Sequence, residues 1–378
     1  MRRKVGILTL PPVSNYGGIL QNFALQEVLR ESNIDVITLE RRYENSGLRG
    51  WLSSIKGFVY RCISRKPGYK IPKSKKAYLY SEQTRFKSNF IKSSPLLFSS
   101  EELKEFIYKE DITHVIVGSD QVWRADYTNF LTDMFFCFLH KDQKVKKLAY
   151  AASFGKDTIN YNEKELEIIR LSLEEFSLIS VREESGIKIC SEFFKQEAFH
   201  VLDPTLLLSK KCYIDRFSLS IRENNQKKGV YTYLLDMDDN KVFFLENLKK
   251  NMSKDIYNRQ PKCFEGDISS DIEDYKSPSI EDWLQGFLDA DLVVTDSFHG
   301  TVFSIIFNIP FYAIVNKSKG ASRFESLLKS VGLEDRLIDF DLVSVEDVDI
   351  NCDIDYSYVN SRVDKLIEYS KELLFRNL

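Results

Sequence analysis

Asp291-Leu-Val-Val-Thr-Asp-Ser-Phe-His-Gly300 reads as a buried strand, a polar turn and the start of a helix. An unbroken apolar run suits a strand covered on both faces, as in a parallel sheet flanked by helices. Working outward, the same rhythm recurs: apolar runs at 311–315 and 230–235 and amphipathic stretches at 241–250, 280–288 and 300–307. An earlier series has strands at 4–10, 34–39, 113–118, 147–152, 178–182 and 199–208, with helices at 18–30, 100–109, 163–176 and 183–194. Strands alternating with helices predict βαβ units and an α/β fold. The polar stretch Arg222-Glu-Asn-Asn-Gln-Lys-Lys-Gly229 separates the two series. The expected organisation is an N-terminal Rossmann-like domain at 1–213, a linker at 214–229 and a C-terminal Rossmann-like domain at 230–355. An amphipathic helix within 356–378 follows, and the two domains face a cleft.

The length of 378 residues suits two domains at roughly 150 residues each. With 29% charged and 43% hydrophobic residues, disorder, collagen and coiled coil are excluded. A net charge of −3 offers no general attraction for nucleic acid. Six cysteines without a C-x-x-C pair argue against a disulfide framework or zinc site and for a reducing, cytoplasmic setting. The apolar run after the basic start ends at Pro11-Pro12, short of a signal peptide, and nothing approaches the roughly 20 apolar residues of a membrane span. Asp236-Met-Asp238 reads as helix capping, so no metal is expected. Neither a G-x-G-x-x-G nor a P-loop fingerprint occurs.

In such folds ligands sit beyond the carboxyl ends of the strands, so the loops there carry the chemistry. Ser14-Asn-Tyr-Gly-Gly18 is either a close approach to a ligand at a helix N-terminus or a tight βα turn. Gly118-Ser-Asp-Gln-Val-Trp123 puts Asp120 at a strand end, as a site carboxylate or a helix cap. Arg182 leaves a buried strand and suits a carboxylate or phosphate, or an ion pair with Glu183 or Glu184. His299 stands at a helix start among Asp296, Ser297 and Gly300, where an anion is also favoured. Lys317, Lys319 and Arg323 follow one βα unit later, as anion ligands or a solvated loop. Cations gathered at strand ends in a slightly acidic protein point to a small, multiply charged anion.

Six motifs in order resemble the polysaccharide pyruvyl transferase family: Asn15-Tyr-Gly-Gly18 with Gln21, Gly118-Ser-Asp-Gln-Val-Trp123, Tyr150-Ala-Ala-Ser-Phe-Gly155, Ser180-Val-Arg-Glu183, Asp203-Pro-Thr-Leu206 and Thr295-Asp-Ser-Phe-His-Gly300. The resemblance runs from about residue 5 to 330. It implies a glycosyltransferase-B type fold, with a C-terminal helix packed back on the first domain. It also implies phosphoenolpyruvate as donor substrate, no cofactor, and a pyruvate ketal formed on a sugar of a surface-polysaccharide precursor with release of phosphate. Residue by residue, it assigns the donor to Arg182, His299 and Lys319, with Ser297, Gly300, Arg323 and Lys317 around them. His299 and Asp120 are the expected catalytic pair. Asn15, Tyr16, Gly17, Gly18, Gln21, Ser119 and Trp123 are assigned to the acceptor. Many relatives read Arg-Leu-His-Gly where this chain has Ser297-Phe298-His299-Gly300, so one cation is missing. A nucleotide-sugar glycosyltransferase of the same fold and a non-catalytic glycan- or anion-binding module are the rival expectations.

Residues 41–76 hold eleven Lys or Arg against one acid, a local charge of +10 that leaves −13 elsewhere. Trp51, Leu52, Ile55, Phe58, Val59, Cys62 and Ile63 recur there at helical spacing. Such a basic amphipathic helix suits an anionic membrane surface or a solvated face over a core. The former predicts a cytoplasmic protein held peripherally at the inner face of the membrane, where a polyprenyl-diphosphate-linked acceptor would lie.

Overall fold

The computed structural model describes residues 3–11, 15–43, 73–223, 226–262, 272–315, 320–348, 350 and 353–378. Lys317, Lys319 and residues 44–72, which hold most of the basic stretch, lie outside them.

The first series forms a seven-stranded parallel sheet in the order β3-β2-β1-β4-β5-β6-β7. Its strands are β1 (Lys4–Leu8), β2 (Asp35–Arg41), β3 (Ser93–Leu97), β4 (His114–Val117), β5 (Lys146–Ala152), β6 (Phe176–Val181) and β7 (Phe199–His200). The second series forms a five-stranded parallel sheet, β12-β11-β10-β8-β9. These strands are β8 (Val230–Tyr233), β9 (Ile256–Asn258), β10 (Leu292–Thr295), β11 (Phe311–Ile314) and β12 (Leu337–Ile338). The fold is therefore α/β, two Rossmann-like domains of glycosyltransferase-B type facing each other. Strand order reverses between β1 and β4 in one sheet and between β8 and β10 in the other. At such reversals the flanking loops part and open a crevice.

Two expectations are corrected. The run 199–208 is a strand only over Phe199–His200, because Asp203 caps a 3-10 turn, Pro204–Leu207, with Pro204 at its first position. The stretch 183–194 divides into an α-helix, Glu184–Ile189, and a wider π turn, Cys190–Phe194.

The two domains share one continuous apolar core. It runs from Ile19, Phe23 and Leu206 of the first to Tyr231, Trp283 and Phe303 of the second. The helix Tyr16–Glu31 lies in the seam and is buried over nearly its whole length. Tyr16 stacks on Trp283 with centroids 5.2 Å apart and planes within 3°, and its hydroxyl donates to the Pro278 carbonyl at 2.8 Å. A stack of this kind adds about 0.5–1.5 kcal/mol beyond area burial. On the opposite side of the seam, the Glu184 amide donates to Ser326 Oγ at 2.9 Å, and Glu184 pairs with Lys329 at 2.9 Å. The C-terminal helix, Tyr356–Asn377, crosses both domains: Tyr356 donates to the Ile309 carbonyl at 2.6 Å, and Ser370 Oγ accepts from the Leu202 amide at 3.1 Å.

Candidate active site

Four strand ends at the crevice deliver polar groups. Arg182 follows β6, Ser119 and Asp120 follow β4, Asp203 precedes the 3-10 turn after β7, and His299 opens the helix Phe298–Phe307 after β10. Asp203 is the hub. Its Oδ2 accepts from Ser119 Oγ at 2.8 Å and Arg182 Nη1 at 2.9 Å, and lies 3.5 Å from His299 Nε2. Its other oxygen accepts from the Thr205 amide at 3.0 Å and hydroxyl at 2.7 Å. Arg182 also reaches Asp120 Oδ1 at 3.3 Å through Nη2. A guanidinium from one domain and an imidazole from the other thus converge on one carboxylate oxygen.

Every member of this cluster is buried. Burial alone would raise the Asp203 pKa, but the charges of His299 and Arg182 and the Thr205 hydroxyl hold it well below the carboxylate range. It is a fixed anion that orients Arg182 and His299. Among the described residues Arg182 Nε and His299 Nε2 have no hydrogen-bond partner, the 3.5 Å contact of the imidazole being an electrostatic one. Buried donors of this kind are costly unless a ligand takes them up.

Phe298 organises the cations. Its ring centroid lies 4.8 Å from the guanidinium carbon of Arg182 and 5.6 Å from that of Arg323, on the helix Ser322–Val331 of the other domain. Burial, and after it the repulsion of Arg182, push the Arg323 pKa down to about 10. The group stays charged at neutral pH, and a bound anion would relieve both costs.

The glycines serve approach. A Cβ on Gly17 would overlap the imidazole of His299, so the second domain docks its histidine onto bare backbone of the first. A Cβ on Gly300 would overlap Thr295, whose hydroxyl donates to the Tyr233 carbonyl at 2.7 Å. Gly320, at φ +90°, packs without a side chain against the Gly155 carbonyl across the seam.

The family profile described as polysaccharide pyruvyl transferase matches residues 15–318. The chain belongs to that family. None of the curated proteins matches it. Among solved structures it is similar to the UDP-GlcNAc 2-epimerase of Methanocaldococcus jannaschii, at 14% identity and TM-score 0.46, over 97% of this chain and 92% of that one. The putative UDP-N-acetylglucosamine 2-epimerase of Listeria monocytogenes is similar at 9% identity and TM-score 0.48, over 99% and 90%.

Within this pyruvyl transferase scaffold the residues assigned from sequence divide. Arg182, His299, Asp120, Ser119 and Arg323 gather in one cluster. Arg182 pairs with Asp203 and Asp120 rather than Glu183 or Glu184; Glu183 instead accepts from the Phe154 and Gly155 amides at 2.7 and 3.3 Å. Asp120 caps no helix: it sits at φ +85°, and its second oxygen faces Gly18. Ser297 caps the His299 helix, accepting from the Gly300 amide at 3.5 Å. Asp296 does not reach the cluster; it accepts from the Leu235 amide at 2.6 Å and Lys241 Nζ at 3.0 Å.

Four acceptor assignments meet side chains already occupied. Trp123 is fully buried, stacked on Phe135 at 4.8 Å, with its indole donating to the Met134 carbonyl at 3.0 Å. Tyr16 is held by Trp283 and Pro278. Gln21 donates to Thr9 Oγ1 at 3.1 Å and the Gly18 carbonyl at 3.0 Å, and Ser119 belongs to the Asp203 hub. Asn15 alone of that set is exposed. Reading the strands as local runs missed Asp203 and Phe298. An aspartate before Pro204 inside an otherwise apolar run was the available sign of the first. Nothing local marks the second.

Proposed function

We propose that the protein transfers the pyruvyl group of phosphoenolpyruvate to two hydroxyls of a saccharide, forming a cyclic ketal and releasing phosphate. The reading rests on one observation: Arg182 and His299 meet from opposite domains at Asp203, with Arg182 Nε buried and without a hydrogen bond among the described residues, beside the second guanidinium of Arg323. A carboxylate and a phosphate on a three-carbon frame need more than one fixed cation. Lys317 and Lys319 are assigned to the same donor from sequence.

In the reaction the donor's C3 gains a proton and C2 turns electrophilic. One sugar hydroxyl bonds to C2, and its proton balances the one taken up at C3. The second hydroxyl then bonds to C2 as the C2–O bond to phosphate breaks, and its proton leaves with phosphate. His299 handles these protons and is kept in orientation by Asp203; Asp120 accepts from the acceptor hydroxyl. The acceptor is a sugar of a polyprenyl-diphosphate-linked polysaccharide precursor, reached at the membrane surface through residues 41–76. Among the described residues no helix is long and apolar enough to cross a membrane. Flotation on vesicles with and without anionic lipid tests the surface attachment, and equal recovery overturns it.

Phosphoenolpyruvate at 100 times its Kd should stabilise the folded chain by about 2.7 kcal/mol, raising Tm by several degrees. UDP-sugars should leave Tm unchanged. The converse pattern would favour a nucleotide-sugar transferase. Stabilisation without phosphate release over hours, with any saccharide, would mark a binding module. Gly17→Ala should displace the imidazole and lower turnover about 100-fold, since an ångström of misplacement costs that much. Normal turnover in that variant would remove the domain-to-domain histidine contact from the mechanism.

A further inference from the structure

Tyr16, Gln21, Ser119 and Trp123 are engaged within the protein, which directs the search for an acceptor surface beyond them. In the first domain, on the segments that follow Asp120 and Ala152, lies a recess of about 70 Å³ lined by Trp123, Arg124, Asp126, Phe154, Lys156 and Asn160. The Arg124 side chain is nine-tenths buried there. Its Nη1 donates to Gln121 Oε1 at 2.9 Å, while Nε has no hydrogen-bond partner among the described residues and stands 3.6 Å from Asp126 Oδ2. Lys156 holds the same Asp126 oxygen at 2.8 Å. The guanidinium carbon of Arg124 lies 4.2 Å from the ring centroid of Tyr127, which is 47% exposed. One aromatic face is thus backed by a fixed cation, and about half of the residue is exposed to solvent.

The location ties this recess to the donor cluster. Lys156 follows Gly155, whose amide is held by Glu183 and whose carbonyl meets Gly320 of the second domain. The recess exceeds the volume that a single water needs, so it admits the polar edge of a ligand. A donor (Arg124 Nε), a paired carboxylate (Asp126) and an amide (Asn160) match a hydroxyl-bearing edge, and a half-exposed tyrosine ring matches the apolar face of a pyranose.

We infer that the Arg124–Asp126 recess and the exposed part of Tyr127 form the subsite for the acceptor hexopyranose. The recess takes its hydroxyl edge, and the ring rests on Tyr127. This inference rests on the pyruvyl-transfer reading for the identity of the acceptor, but the binding itself does not require turnover. The test is saturation-transfer NMR on the full chain, with and without phosphoenolpyruvate, using the methyl glycosides of glucose, galactose, mannose and N-acetylglucosamine. Wild type and Tyr127→Phe should transfer saturation to the ring protons of at least one glycoside. Tyr127→Ala and Asp126→Asn, both at exposed positions, should lower that transfer at least tenfold while leaving the Tm shift with phosphoenolpyruvate unchanged. Undiminished transfer in Tyr127→Ala, or none in wild type from any of the four, overturns the subsite. Loss of the phosphoenolpyruvate shift in wild type sinks the donor reading instead, and the glycoside result still decides this one.

Discussion

Arg182→Ala should lose phosphate release from phosphoenolpyruvate by at least about 10³-fold and destabilise the fold by about 3–5 kcal/mol, the cost of breaking a buried ion pair by removing one partner. The stability loss follows from what remains: Asp203, fully buried, would keep its charge with only the Ser119 and Thr205 hydroxyls, the Thr205 amide and a 3.5 Å imidazole contact to offset it. Arg182→Lys separates the two effects. A lysine restores a cation near Asp203 but cannot span Asp203 and Asp120 together or stack on Phe298 as a flat group, so stability should recover more than turnover. Thermal unfolding and a phosphate-release assay read both. Should Arg182→Ala unfold like wild type, the Asp203 hub does not contribute to stability as described. Should it turn over normally, Arg182 does not bind the donor.

His299→Gln should lower turnover by about 10²–10⁴-fold, the range for loss of a general acid–base, with a small change in Tm. The amide keeps a polar group over Gly17 and near Asp203 but cannot exchange a proton with the donor or the leaving phosphate. Binding of phosphoenolpyruvate, followed by its Tm shift, should fall less than turnover does. Equal losses would make His299 a binding group only. Asp203 supplies the matching pH statement. Its folded pKa is held below its unfolded value, so its contribution to stability is complete above about pH 4 and is lost as pH falls toward the lower, folded value. Between pH 5 and 9 Asp203 does not titrate. Any limb of the pH–rate profile in that window belongs to another group, and Asp203→Asn should lower activity across the window.

The α/β alternation, the two-sheet division and the loops that carry Arg182, Asp120 and His299 were all legible along the chain. Runs such as Leu292–Thr295 followed by Asp296, Ser297 and Gly300 encode strand, turn and cap through contacts a few residues apart. The family resemblance then singled out the same side chains. Less legible were the groups whose role is set by what lies opposite. Trp123 looks the same in sequence whether it lines a cleft or fills a core; here Phe135 and the Met134 carbonyl decide for the core. Tyr16 sits beside a glycine pair suited to a ligand, yet its ring meets Trp283, more than 250 positions away in the chain.

By itself, then, the order of residues determined the strands, the helix starts and the stock of cations at the sheet ends, because those depend on neighbours within a turn or a strand. Tertiary structure alone decided that Asp203 is the shared partner of Arg182 and His299, that Phe298 carries two guanidiniums, and that Gly17 admits an imidazole. Each of these is a contact between segments from different βα units or domains. Their approach depends on how two twisted sheets pack across one apolar core, which no local pattern specifies.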